Sequence, residues 1–150
     1  MKFYRTLLCV LILVCLQSIG FAQLRKSSKT EKIITINLAE HLCKTEIEGV
    51  ELYSLSLPNA ASKYYDPVVL FLGTYQEMIS NLQDLTTAME SGEKGEIFDF
   101  QSCGFQYTLV FHRVLGQRCF KVYKEHSTNS DYGNLFRSTT DRILEYFGEK

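Results

Sequence analysis

Residues 98–122 read FDFQSCGFQYTLVFHRVLGQRCFKV. Large apolar side chains alternate here in three runs: Phe98 and Phe100, then Phe105, Tyr107, Leu109 and Phe111, then Phe120 and Val122. A period of two is the mark of a strand with one buried face. Between the runs, Cys103-Gly104 and Leu115-Gly116 put glycine where a two-residue hairpin loop needs positive φ. Two-residue loops fix the pairing. Phe100 faces Tyr107 and Phe98 faces Leu109, while Leu109 faces Val122 and Phe111 faces Phe120. All the large apolar residues then share one sheet face, and a slip of one residue in either hairpin would split them.

The same register separates two cysteines. Cys103 lies at one hairpin tip and Cys119 beside the other, eight residues apart along the middle strand. At ~3.3 Å per residue that is about 26 Å, against the ~7 Å a disulfide tolerates between Cα atoms. An internal bridge in the exported chain therefore has to use Cys43.

Upstream, Tyr75, Met78, Ile79, Leu82, Leu85 and Met89 recur at three- and four-residue steps, the stripe of an amphipathic helix over about 74–91. Thr74 and Glu77 have capping-box spacing, and Gly92 supplies a stop. Burying six such side chains favours folding by roughly 9 to 18 kcal/mol gross, so the stripe belongs to a core. Its polar face carries no Lys or Arg, unlike a helix that lies on a membrane.

Further out, Ile34, Ile36 and Leu38 alternate in a strand over 32–38, and residues 39–44 read as a short turn or helix. Tyr53, Leu55 and Leu57 mark a strand over 50–57, and the apolar run 67–72 reads as a strand buried on both faces. Leu135, Thr139, Ile143 and Phe147 suggest a closing helix over 132–147 that begins near Asp131 and stops at Gly148. No internal repeat is visible in the sequence. The expected fold is α+β, a single domain over 32–150, with a mostly antiparallel sheet of five to six strands and two helices packed on one face.

Residues 1–22 resemble a general secretory signal peptide: Lys2 and Arg5, an apolar run from Leu7 to Leu16, then small residues at Gly20 and Ala22. Ten apolar residues span about 15 Å as helix, roughly half a bilayer core, so no stable membrane insertion is expected after cleavage. Residues 23–31 read as a flexible polar leader. The resemblance implies export, periplasmic or secreted.

Cleavage after Ala22 leaves 128 of the 150 residues, the size of one domain. The composition, 45% apolar and 22% charged, is ordinary for a globular chain. Loss of Lys2 and Arg5 takes the 16 basic residues to 14 against 17 acidic, a balance of −3, so nucleic acid is not an expected partner. Three cysteines remain, Cys43, Cys103 and Cys119, too few and of the wrong parity for a disulfide scaffold. There is no Gly-rich phosphate loop, HExxH, GxSxG or EF-hand pattern, and no cofactor is implied.

The register sets His112 opposite Cys119, ~5 Å apart on the face away from the aromatic set, the one arrangement that suggests a thiolate nucleophile. Neither a glycine-rich nucleophile motif nor an oxyanion hole accompanies it. His41 and Cys43 complete a formal zinc set with His112 and Cys119, although the spacing of the first pair works only in extended chain. No metal is expected. On the same outward face Asp99, Thr108 and Tyr123 form one row, Gln106 and Glu125 a second, and Val110 and Lys121 a third. Polar and aromatic rows of this kind suit protein or ligand recognition as well as plain solvation. Tyr64 and Tyr65, in the loop after Pro58, form a further candidate contact. The leading expectation is an exported, non-catalytic binding domain whose partner is a protein or small ligand. The alternatives are a small cysteine-dependent hydrolase using Cys119 and His112, and a structural subunit of an envelope assembly.

Overall fold

The computed structural model describes residues 28–37, 39–61, 63, 66–125 and 131–149. The signal segment, most of the leader, Tyr64 and Tyr65 lie outside the described residues. The chain twice runs through four strands and then a helix. Strands β1 (Thr30–Asn37), β2 (Glu40–Ile47), β3 (Val50–Leu57) and β4 (Val68–Gly73) precede α1 (Tyr75–Ser91). Strands β5 (Ile97–Ser102), β6 (Phe105–Val114), β7 (Gln117–Lys124) and β8 (Gly133–Phe136) precede α2 (Arg137–Tyr146). Each set of four is an antiparallel meander in chain order.

The register over 97–124 is the one the aromatic pattern requires. Phe98 pairs with Leu109, Phe100 with Tyr107, Leu109 with Val122 and Phe111 with Phe120. Both hairpin loops have two residues at positive φ, 52° and 76° at Cys103-Gly104 and 50° and 81° at Leu115-Gly116. That is the handedness a right-twisted hairpin needs. A third loop of the same kind, Glu48-Gly49, joins β2 to β3.

The architecture is α+β as expected, but the strands form two sheets of four rather than one of five or six. Two misread segments account for the difference. Residues 39–44, expected as a turn or helix, lead into and form most of β2, where Glu40 and Leu42 face inward while the rest of the strand is half-covered or exposed, which blurs the alternation. Residues 133–136, expected as the first turn of the closing helix, form β8, paired with β7. Gly133 lies flat against Leu57, where a Cβ would come within 2.7 Å of the leucine Cβ. Leu135 joins the core in either reading, so helical spacing alone did not separate them. Strand β1 begins at Thr30, so Thr30 and Glu31, expected in the leader, belong to the sheet. Strand β4 is an edge strand: Val68, Leu70 and Leu72 are buried, and Val69 and Phe71 only partly. It is not covered on both faces.

One core spans both halves. Leu42, Leu55, Leu57, Leu70 and Leu72 from the first sheet meet Tyr107, Leu109, Phe111, Phe120 and Val122 from the second. Helix α1 packs between them, touching β3, β4 and β7, with five of the six expected side chains, Met78, Ile79, Leu82, Leu85 and Met89, inward, while Tyr75 at its first turn is exposed. The Glu77 carboxylate turns back to accept the Thr74 amide at 2.7 Å and the Thr74 hydroxyl at 2.9 Å, which fixes the helix start and lowers the Glu77 pKa. At the other end Arg118 donates to the carbonyls of Met89 and Glu90, neutralising a helix terminus that has no basic residue of its own. Helix α2 packs on α1, β1, β7 and β8. Its inward Thr139 donates to the buried carboxylate of Glu40 at 2.7 Å, and the Thr140 hydroxyl accepts that of Thr86 at 2.8 Å. Among the described residues no helix is long and apolar enough to cross a membrane.

Candidate binding groove

Among the described residues strand β5 hydrogen-bonds only β6, and its other edge is open. The hairpin decides which groups the open edge presents. Ser102 and Phe105 flank a two-residue loop and form a hydrogen-bonded pair, so Ser102, Phe100 and Phe98 point their amides and carbonyls at β6. Those of Ile97, Asp99 and Gln101 point away from it. Among the described residues nothing hydrogen-bonds these outward groups. A row of unpaired backbone donors and acceptors is a template for another strand.

Helix α1 overhangs this edge. The Asn81 side-chain amide donates to the Leu72 carbonyl at 2.9 Å and ties the helix to the first sheet. Between α1 and β5 runs a groove of ≈ 270 Å³. Leu85, Ala88, Phe98, Phe100, Leu109 and Phe120 supply an apolar lining, while Asn81 and Asp84 on the helix and Asp99 and Gln101 on the strand supply polar groups. Phe98 and Phe100 are only partly buried, because the strand that would cover their far side is missing. Asp84 and Asp99 are exposed and have no hydrogen bond or ion pair among the described residues.

The structure assembles the predicted outward rows and adds to them. Asp99, Thr108 and Tyr123 lie in register across β5, β6 and β7, and Val110 is paired with Lys121. Gln106 accepts the Glu125 amide at 2.9 Å. Beyond Tyr123 the row continues to Tyr132, whose ring centroid is 5.4 Å away, and Lys121 sits 5.1 Å over that ring. Tyr132 went unnoticed because its segment reads as helix. Of the predicted row residues, Asp99 alone belongs to both the outward face and the groove.

His112 and Cys119 are paired across β6 and β7 as expected. Cys119 is fully buried, however, and its thiol donates to the backbone carbonyl of His112 at 3.7 Å. Burial pushes its pKa up, with only partial relief from Lys121 and a backbone amide. A buried thiol with a raised pKa is the opposite of an activated nucleophile. His41 and Cys43 lie on β2 of the other sheet, and among the described residues no group of three or more His, Cys, Asp or Glu side chains is placed to hold a metal ion. Cys43, Cys103 and Cys119 are all free thiols.

No family model matches the chain, and neither curated proteins nor solved structures give a match. The groove itself was hidden from sequence reasoning, which paired β5 with β6 but had no means of finding what lies at its other edge. The available signal was Phe98 and Phe100: two large aromatics on the first strand of a meander need cover, and α1 supplies it from one side only.

Proposed function

We propose that this chain is an exported, non-catalytic binding domain that captures an extended segment of another protein by adding it as a strand to β5 beneath α1. The observation that carries the reading is the open β5 edge beside a groove with an apolar lining. Backbone pairing along such an edge gives affinity, and the alternate side chains that enter the groove give selectivity. The groove, at ≈ 270 Å³, has room for a few side chains of an added strand. Export rests on the signal-like segment at residues 1–22, and the absence of a catalytic role rests on the buried state of Cys119.

The test uses a proline. Gln101→Pro removes one outward amide and leaves the β5–β6 ladder whole, because edge positions facing solvent tolerate proline. Peptides selected from a random library on the mature domain should slow hydrogen exchange at the amides of Ile97, Asp99 and Gln101, and Gln101→Pro should weaken them at least tenfold. Selected peptides that protect another surface, or that ignore Gln101→Pro, would refute strand addition.

A further inference from the structure

Resting on the strand-addition reading, we infer that the captured segment alternates apolar with basic residues, its Lys or Arg side chains lying on the outward face opposite Asp99. A strand laid along β5 sends every second side chain inward beside Phe98 and Phe100 and the others outward beside Ile97, Asp99 and Gln101. The inward positions meet the apolar lining and take aliphatic side chains. The outward position opposite Asp99 lies ~5 Å from a carboxylate, close enough for an ion pair. Asp84, exposed on the helix side of the same groove and without an ion pair among the described residues, adds negative charge along it.

The cations of the second sheet do not compete for these acids. Lys121 sits over the Tyr132 ring, Lys124 sits 4.4 Å over the Phe105 ring, Arg118 caps α1, and Arg113 lies at the far end of β6, paired with Arg118 and five residues from the Thr108 that faces Asp99. Charge also argues against a second copy as the occupant. Pairing β5 with β5 across a two-fold axis gathers Asp84 and Asp99 from both copies around one interface, and like charges facing across strands destabilise the pair. A basic strand meets the same carboxylates with the opposite sign. The net −3 of the exported chain favours its approach at low salt.

The experiment compares two capped eight-residue peptides on the full mature chain, one alternating valine with lysine and one alternating valine with glutamate, with a serine–lysine peptide as the control for charge alone. The valine–lysine peptide should bind at least tenfold tighter than either of the others, protect the amides of Ile97, Asp99 and Gln101 from exchange, and weaken as salt rises. Asp99→Lys should reverse the preference between lysine and glutamate. Equal binding of the two valine peptides would overturn the charge rule, and equal binding of the serine–lysine control would overturn the apolar half of the alternation. If only neutral library peptides protect β5, the charge rule falls and strand addition stands. If no peptide protects β5, strand addition falls with it. A native mass of two chains that becomes one in Asp99→Pro would make a second copy the occupant and overturn the inference.

Discussion

The Tyr107 hydroxyl, rooted in the second sheet, donates to the Val69 carbonyl at 3.2 Å and accepts the Phe71 amide at 3.1 Å on the free edge of β4. One phenol thus satisfies a donor and an acceptor of an edge strand and ties the two sheets together. Tyr107 itself is fully buried. Tyr107→Phe preserves the packing but strands both backbone groups, and should destabilise the protein by about 1–3 kcal/mol. Urea unfolding will read this as a lower midpoint at an unchanged slope.

Alkaline pH should expose the same contact. Burial pushes the Tyr107 phenol above its ordinary value of 10.0 and the Cys119 thiol above 9.0. The unfolded chain releases these protons first, so the stability they confer is whole below about pH 9 and drains away as pH climbs through the raised values. Thermal melts across pH 8 to 11 should show this decline. Cys119→Ala should flatten its lower part and Tyr107→Phe its upper part; an unchanged slope in both variants would count against the burial argument.

Glu40 is a carboxylate at the start of β2 with little exposure, bonded by Thr139 at 2.7 Å and by the Asn37 amide at 2.9 Å. It joins the first hairpin to the last helix, 99 residues on. Thr139→Val keeps the shape and removes a donor to a charged group, and should cost about 1.5–3 kcal/mol. Thr139→Ser should restore most of the loss in the same denaturation assay.

Gly133→Ala tests the close approach of β8 to β3. The new Cβ would meet the Leu57 Cβ at 2.7 Å and sit 3.3 Å from that of Val68. Overpacking of this kind costs about 1–3 kcal/mol. The penalty should shrink when Leu57→Ala is introduced with it, a non-additivity that a double-mutant cycle will measure.

A stabilising change is also available. Leu115 is 100% exposed and holds φ at 50° in the β6–β7 turn, a conformation that leucine resists and asparagine accepts. Leu115→Asn removes no packing and should raise stability by about 0.5–1 kcal/mol. A melting temperature at or below that of the parent would contradict the turn assignment.

The parts of this fold that were legible in the sequence are those whose local signals agree. From 97 to 124, alternation, glycine position and loop length all specify one register, and that register is the one observed. Helix α1 was equally plain from its stripe and its Thr74–Glu77 start. The signals disagreed in β2, where an inward Glu40 broke the apolar pattern, and in β8, where four residues too few to show a period run straight into a helix. Reading both as helix or turn removed two strands and merged two sheets into one. The outward row Asp99–Thr108–Tyr123 followed from the register alone, whereas the groove depends on how α1 settles over β5, a tertiary relation that no local pattern encodes.

The order of strands within each sheet has a consequence for how the molecule assembles. Every ladder among the described residues joins partners that are consecutive along the chain, and four of the six are closed by loops of two residues. A polypeptide delivered amino end first therefore finds each next partner almost at once, and loop closure scarcely slows it. The long-distance clasps, among them Tyr107 on β4, Thr139 on Glu40 and the bridge of Asn59 to Gly133, must wait for the second half to arrive. The molecule is in effect two quick zippers and a late set of buttons.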